Sequence, residues 1–200
     1  MAKLDLEQSE LFVRETRQAL GIEHQKRPDG MTLIVKFKEA GWLADYLRVP
    51  DVELPDVEAS WNYKTRVISL RESVFIGLHP RSPRAIMTLT EELMHCARGH
   101  KGILNRSVKV KAYEVSVPKY RRMETEAKNL AAIFLCPEYL VPDLFDVDLL
   151  VDQFGISNQA AIYRQDEIQK LRRIRNGAKR PIPKSVLEYL EEAKRRNGIL

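Results

Sequence analysis

The chain has 200 residues and a formal net charge of +5, with 44% hydrophobic and 30% charged side chains. This composition is typical of a globular protein with one sizeable core and excludes a wholly disordered chain. No apolar stretch approaches the length of a membrane span, and residues 1–7 lack the features of an export signal, so the sequence predicts a cytoplasmic protein.

The first third of the chain predicts two helices followed by a small sheet. Apolar residues recur at helical spacing within residues 6–20, and Gly21 follows as a stop signal. A second apolar face at helical spacing covers residues 32–46. Residues 57–61 and 66–70 are rich in strand-forming side chains and flank a four-residue turn, which predicts a hairpin.

The next helix carries the residues of chemical interest. Ser82 and Pro83 supply an N-cap and a first-turn proline, and Gly99 predicts the end of the helix. Inside it, the run Glu91-Glu92-Leu93-Met94-His95 is a variant of the zinc-peptidase signature HExxH. Glutamate replaces the first histidine of that signature.

The spacing of this run suits a metal ion. Positions four residues apart share a helix face, so Glu91 and His95 can reach one ion, with Glu92 beside them as general base for an attacking water. Two carboxylates and one neutral imidazole cancel the charge of Zn²⁺, which predicts a weak Lewis acid, or Mn²⁺ as the bound ion. The alternative is a solvated Glu91 and Glu92, with His95 half-buried against the next helix.

A third metal ligand is expected from the following helix, predicted over residues 121–135. Glu124 shares a stripe with Ala127, which faces the core, whereas Glu126 shares a face with Leu130. Periodicity therefore leaves both carboxylates open, and we favour Glu124.

Three isolated side chains have structural and chemical interpretations. His100 follows Gly99. It either closes the motif helix or supports the metal site by contacting a metal ligand and not the ion itself. Cys96 and Cys136 are the two cysteines, both at apolar helical positions, and we expect two buried reduced thiols.

The last part of the chain predicts a β-prone segment over residues 108–117, a helix capped by Ser157 and a final amphipathic helix from about residue 185. Residues 170–180 form a basic run. This run is typical of a solvated helix end, and contact with nucleic acid is the weaker interpretation because aromatic residues are not interleaved with it.

The order of these motifs resembles the ImmA/IrrE family of metallopeptidases. The resemblance covers roughly residues 59–175. The similar segments are a strand and short helix at residues 68–75, the motif with its following Gly-His at residues 88–100, the glutamate helix ending Phe-Leu-Cys-Pro at residues 124–137, and the Phe-Gly-Ile-Ser segment from residue 154.

The resemblance implies one domain over residues 1–200, with N-terminal helices and a basic helical extension around a zincin-like core. The expected class is α+β, mainly helical with a small β-sheet. It implies metal ligation by Glu91, His95 and Glu124, with Glu92 as base. The implied function is endopeptidase cleavage of a protein, a helix-turn-helix repressor in a mobile-element or stress-response system. The alternative is a catalytically impaired pseudopeptidase that binds protein or nucleic acid.

Overall fold

The computed structural model describes residues 4–55, 57–101, 103–105 and 117–177, together with positions 189, 192 and 196. This part of the chain confirms a mainly helical α+β protein, with seven α-helices and a small mixed sheet. It divides into two compact units, Met1–Glu167 and Ile168–Leu200. None of the described helices combines the length and the apolarity needed to cross a bilayer.

The helices are α1 to α7 and the strands β1 to β4, numbered in chain order. Two short 3₁₀ turns, Asp51–Glu53 and Glu138–Leu140, lie between them. The elements are α1 Leu6–Ala19, α2 Gly30–Glu39, β1 Asp45–Val49, β2 Ala59–Asn62, β3 Val67–Arg71, α3 Glu72–Leu78, α4 Pro83–Ala97, β4 Ile103–Asn105, α5 Val117–Leu135, α6 Val147–Phe154 and α7 Asn158–Arg175.

The first helix is confirmed, and the second is shorter than predicted. A capping box between Asp5 and Gln8 begins α1. Helix α2 begins after Asp29, whose side chain accepts a hydrogen bond from Thr32 N, and it ends at Glu39. Gly41 has φ +73°, a conformation that glycine adopts without a Cβ clash. The prediction of helix up to residue 46 was therefore wrong, because the chain reverses at Gly41 and continues as β1.

The predicted hairpin is present as the antiparallel pair β2 and β3. The sheet order is β1-β3-β2-β4, with β1 parallel to β3 and β4 antiparallel to β2. Trp61 on β2 lies opposite Ile68 on β3, and both side chains are buried. Helix α4 packs against β2, α3, α2 and α5, so the sheet covers one side of this central helix.

The motif helix α4 lies where the sequence predicts it. Ser82 occupies the N-cap position with Pro83 at the first turn, but the Ser82 side chain makes no capping hydrogen bond. Gly99, with φ +62°, follows the last residues of the helix. Helix α5 ends at Leu135 as predicted and begins earlier, at Val117.

A buried ion pair ties α1 to α7. Arg164 Nη2 lies 2.6 Å from Glu10 Oε1, and these side chains are 1% and 5% exposed. The Arg164 guanidinium also donates to the backbone carbonyl of Cys136 through Nε and Nη2. Buried charges of this kind are tolerated when they are paired and hydrogen-bonded.

The C-terminal third confirms one prediction and adds a helix. The Ser157 side chain accepts a hydrogen bond from Ala160 N and caps α7, as expected. Helix α6 was not predicted; Asp146 caps it, and Gly155 ends it with φ +66°. Of the β-prone segment predicted over residues 108–117, residues 108–116 lie outside the described residues and Val117 is instead the first residue of α5. Most of the helix predicted from residue 185 also lies outside the described residues.

Candidate functional site

The acidic segment of α4 is buried. The exposed fractions are 6% for Glu91, 3% for Glu92 and 2% for His95. The interpretation of solvated glutamates is therefore wrong. Because α4 is surrounded by α2, α3, α5 and β2, even the polar face of the helix is covered by protein.

Helix α5 brings a carboxylate to His95. Glu124 Oε1 lies 3.5 Å from His95 Nε2, and the Glu124 side chain is 28% exposed. Two donor atoms that each lie about 2.0–2.1 Å from a tetrahedral Zn²⁺ are roughly 3.3 Å from each other. The separation of this pair therefore suits two ligands of one ion.

The structure does not bring all three predicted metal ligands together. Among the described residues, no three His, Cys, Asp or Glu side chains are grouped so that they could hold a metal ion. Glu91 lies one turn before His95 on α4 and is buried. Of the three predicted ligands, the structure thus brings His95 and Glu124 into contact, and Glu91 does not complete a three-ligand group with them.

Glu126, the competing carboxylate, is engaged by an arginine. Its Oε1 accepts a hydrogen bond from Arg98 Nε at 3.0 Å and lies 2.8 Å from Arg98 Nη2 in an ion pair. Both side chains are 11% exposed. Glu126 Oε2 lies 3.7 Å from Nε2 of His100. The structure thus directs Glu124 toward His95 and Glu126 toward Arg98 and His100.

The turn after α4 places His100 against His95. The backbone N–H of Gly99 donates to Cys96 O, and that of His100 donates to His95 O. These two bonds are those of a Schellman motif, which glycine at the first position after the cap favours. The Nδ1 atoms of His95 and His100 are 2.8 Å apart, and His100 is 2% exposed.

Burial favours the neutral form of both imidazoles. Burial, with a smaller contribution from His100, lowers the pKa of His95 to about 3. Burial also lowers the pKa of His100, against the opposing effect of Glu126. A neutral imidazole is the form that binds a metal ion.

The two cysteines lie apart from this chemistry. Both are free and buried, as predicted. Burial raises the pKa of the Cys96 thiol to about 12 and that of Cys136 to about 11. Cys96 donates a hydrogen bond to the carbonyl of Trp42. These thiols have a packing role.

Sequence reasoning missed Arg98 as part of the site. It is the C-cap residue of α4, and at that position an arginine is ordinarily assigned to the helix dipole. The overlooked signal was the spacing of Glu124 and Glu126. Residues two apart point to different sides of a helix, so each carboxylate could meet a different partner.

The comparisons with known proteins give no family. No family model matches the chain, and no curated protein matches it. Among solved structures, the chain is similar to a Mycobacterium tuberculosis transcriptional regulator with a TM-score of 0.48 and 15% identity. That similarity covers 79% of this chain and 46% of the regulator, so this chain spans about half of its length.

Proposed function

We propose that this protein is a metal-dependent endopeptidase whose centre lies between α4 and α5. The observation that supports it is the 3.5 Å separation of His95 Nε2 and Glu124 Oε1 at an interface where α4 buries two further carboxylates, Glu91 and Glu92. Imidazole nitrogen and carboxylate oxygen are both zinc ligands in proteins.

Each residue has a role in this proposal. His95 and Glu124 bind the ion, and Glu91, four residues before His95 on the same helix, is the proposed third ligand. Glu92 takes the proton of the attacking water and delivers it to the leaving amine. When bound, Zn²⁺ or Mn²⁺ would polarise the scissile carbonyl and acidify water. Glu92 is 3% exposed, so protein rather than bulk water surrounds the carboxylate that would carry the proton.

The substrate proposal rests on the ImmA/IrrE resemblance. We infer a zincin-like arrangement of the small sheet, α4 and α5, a cytoplasmic location and a helix-turn-helix repressor as the protein cleaved. Cleavage of such a repressor would release genes of a mobile element or a stress response.

A pseudopeptidase is the second candidate, and the observation that favours it is Glu91. Two carboxylates and one imidazole neutralise a divalent ion and weaken it as a Lewis acid, which slows hydrolysis. In that case the protein would act by binding a repressor or nucleic acid, the latter through basic residues near the end of α7.

Elemental analysis of the purified protein tests the metal site. We expect about one Zn or Mn per chain after reconstitution, and none in His95→Ala, because removal of one ligand typically abolishes such a site. His24→Ala is the matched control, since the His24 side chain is 86% exposed. A metal-free wild type would contradict the site, and equal metal in both variants would exclude His95 as ligand.

A proteome-derived peptide library tests the reaction. The metal-loaded wild type should cleave peptides, and Glu92→Gln should bind metal yet cleave none above background. Metal binding without cleavage by the wild type would favour the pseudopeptidase. Cleavage retained in Glu92→Gln would remove Glu92 from the reaction.

A further inference from the structure

The outer edge of the sheet is formed by β1, which pairs with β3 and with no other described strand. This five-residue strand contains no proline or glycine, and Leu47 at its centre is 54% exposed. Pro50 follows the strand and lacks the N–H group that would extend the pairing. An edge of this kind presents backbone N–H and C=O groups to another strand.

The register of the sheet shows which backbone groups of β1 point outward. Arg71 N–H on β3 donates to the residue that precedes β2, so the backbone groups of the alternate residues Ile68 and Leu70 point toward β1. Tyr46 and Arg48 lie level with these two residues. In a parallel pair only one residue of each level pair bonds across, so the N–H and C=O groups of Tyr46 and Arg48 point away from β3.

These outward groups suit a second copy of the same strand. An antiparallel copy related by a two-fold axis at Leu47 places Arg48 opposite Tyr46 of the second copy. Arg48 N–H then donates to Tyr46 O across the interface, and the symmetry repeats this bond. In the single chain Tyr46 N–H donates to its own Asp45 Oδ1 at 2.9 Å. In the pair it donates to Arg48 O instead, as in an ordinary antiparallel ladder.

The charges at the two ends of β1 also match in an antiparallel pair. Most charged side chains there are paired within the chain. These pairs are Lys38–Asp45, Arg48–Glu72 and Arg71–Asp51. Two charges form no ion pair with any described residue: Arg66, whose carbonyl accepts from Ala44 N–H at the start of the strand, and Glu53 beyond its end. Antiparallel pairing brings the start of one strand to the end of the other, so Arg66 and Glu53 of the two copies lie at the same end of the interface.

We propose that two copies of this chain associate through β1 and form a symmetric dimer with one continuous sheet. The pairing packs Leu47 against Leu47 of the second copy and opposes no like charges across the two strands. Trp61, which donates to the carbonyl of His100, lies on β2 beyond β3, so the inference does not depend on the proposed metal site. A five-residue strand gives a small interface, and we expect association that depends on protein concentration.

Oxidative cross-linking tests the register. In Leu47→Cys the Cα atoms of the central pair would lie about 4.5 Å apart, within the range of a disulfide. In Val49→Cys, on the same face of the strand, they would lie more than about 13 Å apart, which no disulfide spans. Leu11→Cys on α1 is the control for random collision, because Leu11 is 57% exposed. The native Cys96 and Cys136 are buried.

The rates of cross-linking should differ clearly. We expect Leu47→Cys to form a disulfide-linked dimer about tenfold faster than either control variant, because pairing raises the local concentration of the thiol. Cross-linking of Leu47→Cys no faster than that of Leu11→Cys would overturn the proposal. Equal rates for Leu47→Cys and Val49→Cys would overturn the pairing about Leu47.

Sedimentation equilibrium measures association without introduced cysteines. Arg48→Pro removes the outward N–H and costs no bond to β3, since proline is tolerated on an edge strand where its nitrogen faces solvent. Arg48→Ala keeps the N–H and loses the same ion pair with Glu72, so it is the matched control. We expect Arg48→Pro to associate about tenfold more weakly than Arg48→Ala, because two symmetric hydrogen bonds are lost.

The remaining outcomes also decide the question. A wild type that stays monomeric up to about 1 mM would overturn the proposal, and so would equal association of Arg48→Pro and Arg48→Ala. Urea unfolding shows whether each variant retains its fold, and the cross-linking experiment decides if Arg48→Pro does not. A protein that binds no metal would leave this inference unchanged.

Discussion

Arg17 joins two separate segments of backbone through a single side chain. It is fully buried, and its guanidinium donates to the carbonyls of Phe134, Ile22 and Gln25. A guanidinium presents five N–H donors in a planar fork, and no other side chain reproduces that pattern. Arg17 thus satisfies carbonyls at the end of α5 and in the turn after α1.

Substitution of Arg17 by lysine should therefore be costly although the charge is kept. Lysine cannot reach all three carbonyls, and each buried acceptor left without a partner costs about 1–3 kcal/mol. We expect Arg17→Lys to lower the unfolding free energy by about 3 kcal/mol in urea titrations. Arg14→Lys on the same helix, whose side chain is 53% exposed, is the control and should change little. Equal effects would contradict the account.

The two carboxylates of α5 should respond differently to the same substitution. Glu124→Gln should weaken metal binding and leave the fold intact, because its contact is with His95. Glu126→Gln should break a largely buried pair with Arg98 and lower the unfolding free energy of the metal-free protein by about 3 kcal/mol. Metal titration and urea unfolding of both variants check this. Loss of metal in Glu126→Gln alone would assign the ligand role to Glu126.

Residue types and spacing predicted much of the candidate site, but not its contacts. The run ending at His95 and the following Gly-His could be recognised in the sequence because the geometry of a helix and of its closing turn depends on residues close together in the chain. Pairing of Glu126 with Arg98 depends on how α4 crosses α5, which periodicity does not specify.

At the scale of elements, two N-cap residues differ in whether the side chain makes a capping hydrogen bond to its helix. Asp29 and Ser82 both occupy N-cap positions, yet only Asp29 bonds to its helix. Asp29→Ala should lower the unfolding free energy by about 1 kcal/mol, the usual worth of a cap. Ser82→Ala should lower it by clearly less. Urea titration of both variants checks the difference, and equal losses would contradict it.

The errors in element prediction have a common cause. The apolar residues near position 43 were compatible with a continued helix, and only the left-handed Gly41 shows where α2 stops. Helix α6 has eight residues, which are too few for the helical repeat of apolar residues to be recognised in the sequence. By contrast β2, β3 and α4 were predicted correctly because turn and cap residues bound them on both sides.

At the scale of the whole molecule, the buried thiols report on global unfolding. A thiolate is the reactive form, and the raised pKa of Cys96 and Cys136 leaves almost none at pH 8. The native protein should therefore resist iodoacetamide at pH 8, and both cysteines should react in denaturing urea. Mass spectrometry of labelled protein tests this; rapid labelling of either thiol in native buffer would contradict its burial.

The ion pair between Glu10 and Arg164 also sets when folding can finish during synthesis. Its partners are 154 positions apart. Helix α1 can form as soon as it leaves the ribosome, but its buried carboxylate meets its arginine only after α7 has been made. Contacts so distant in sequence form late, since a long loop must close first. A nascent chain halted before residue 164 should remain sensitive to protease, whereas one released at full length should become resistant.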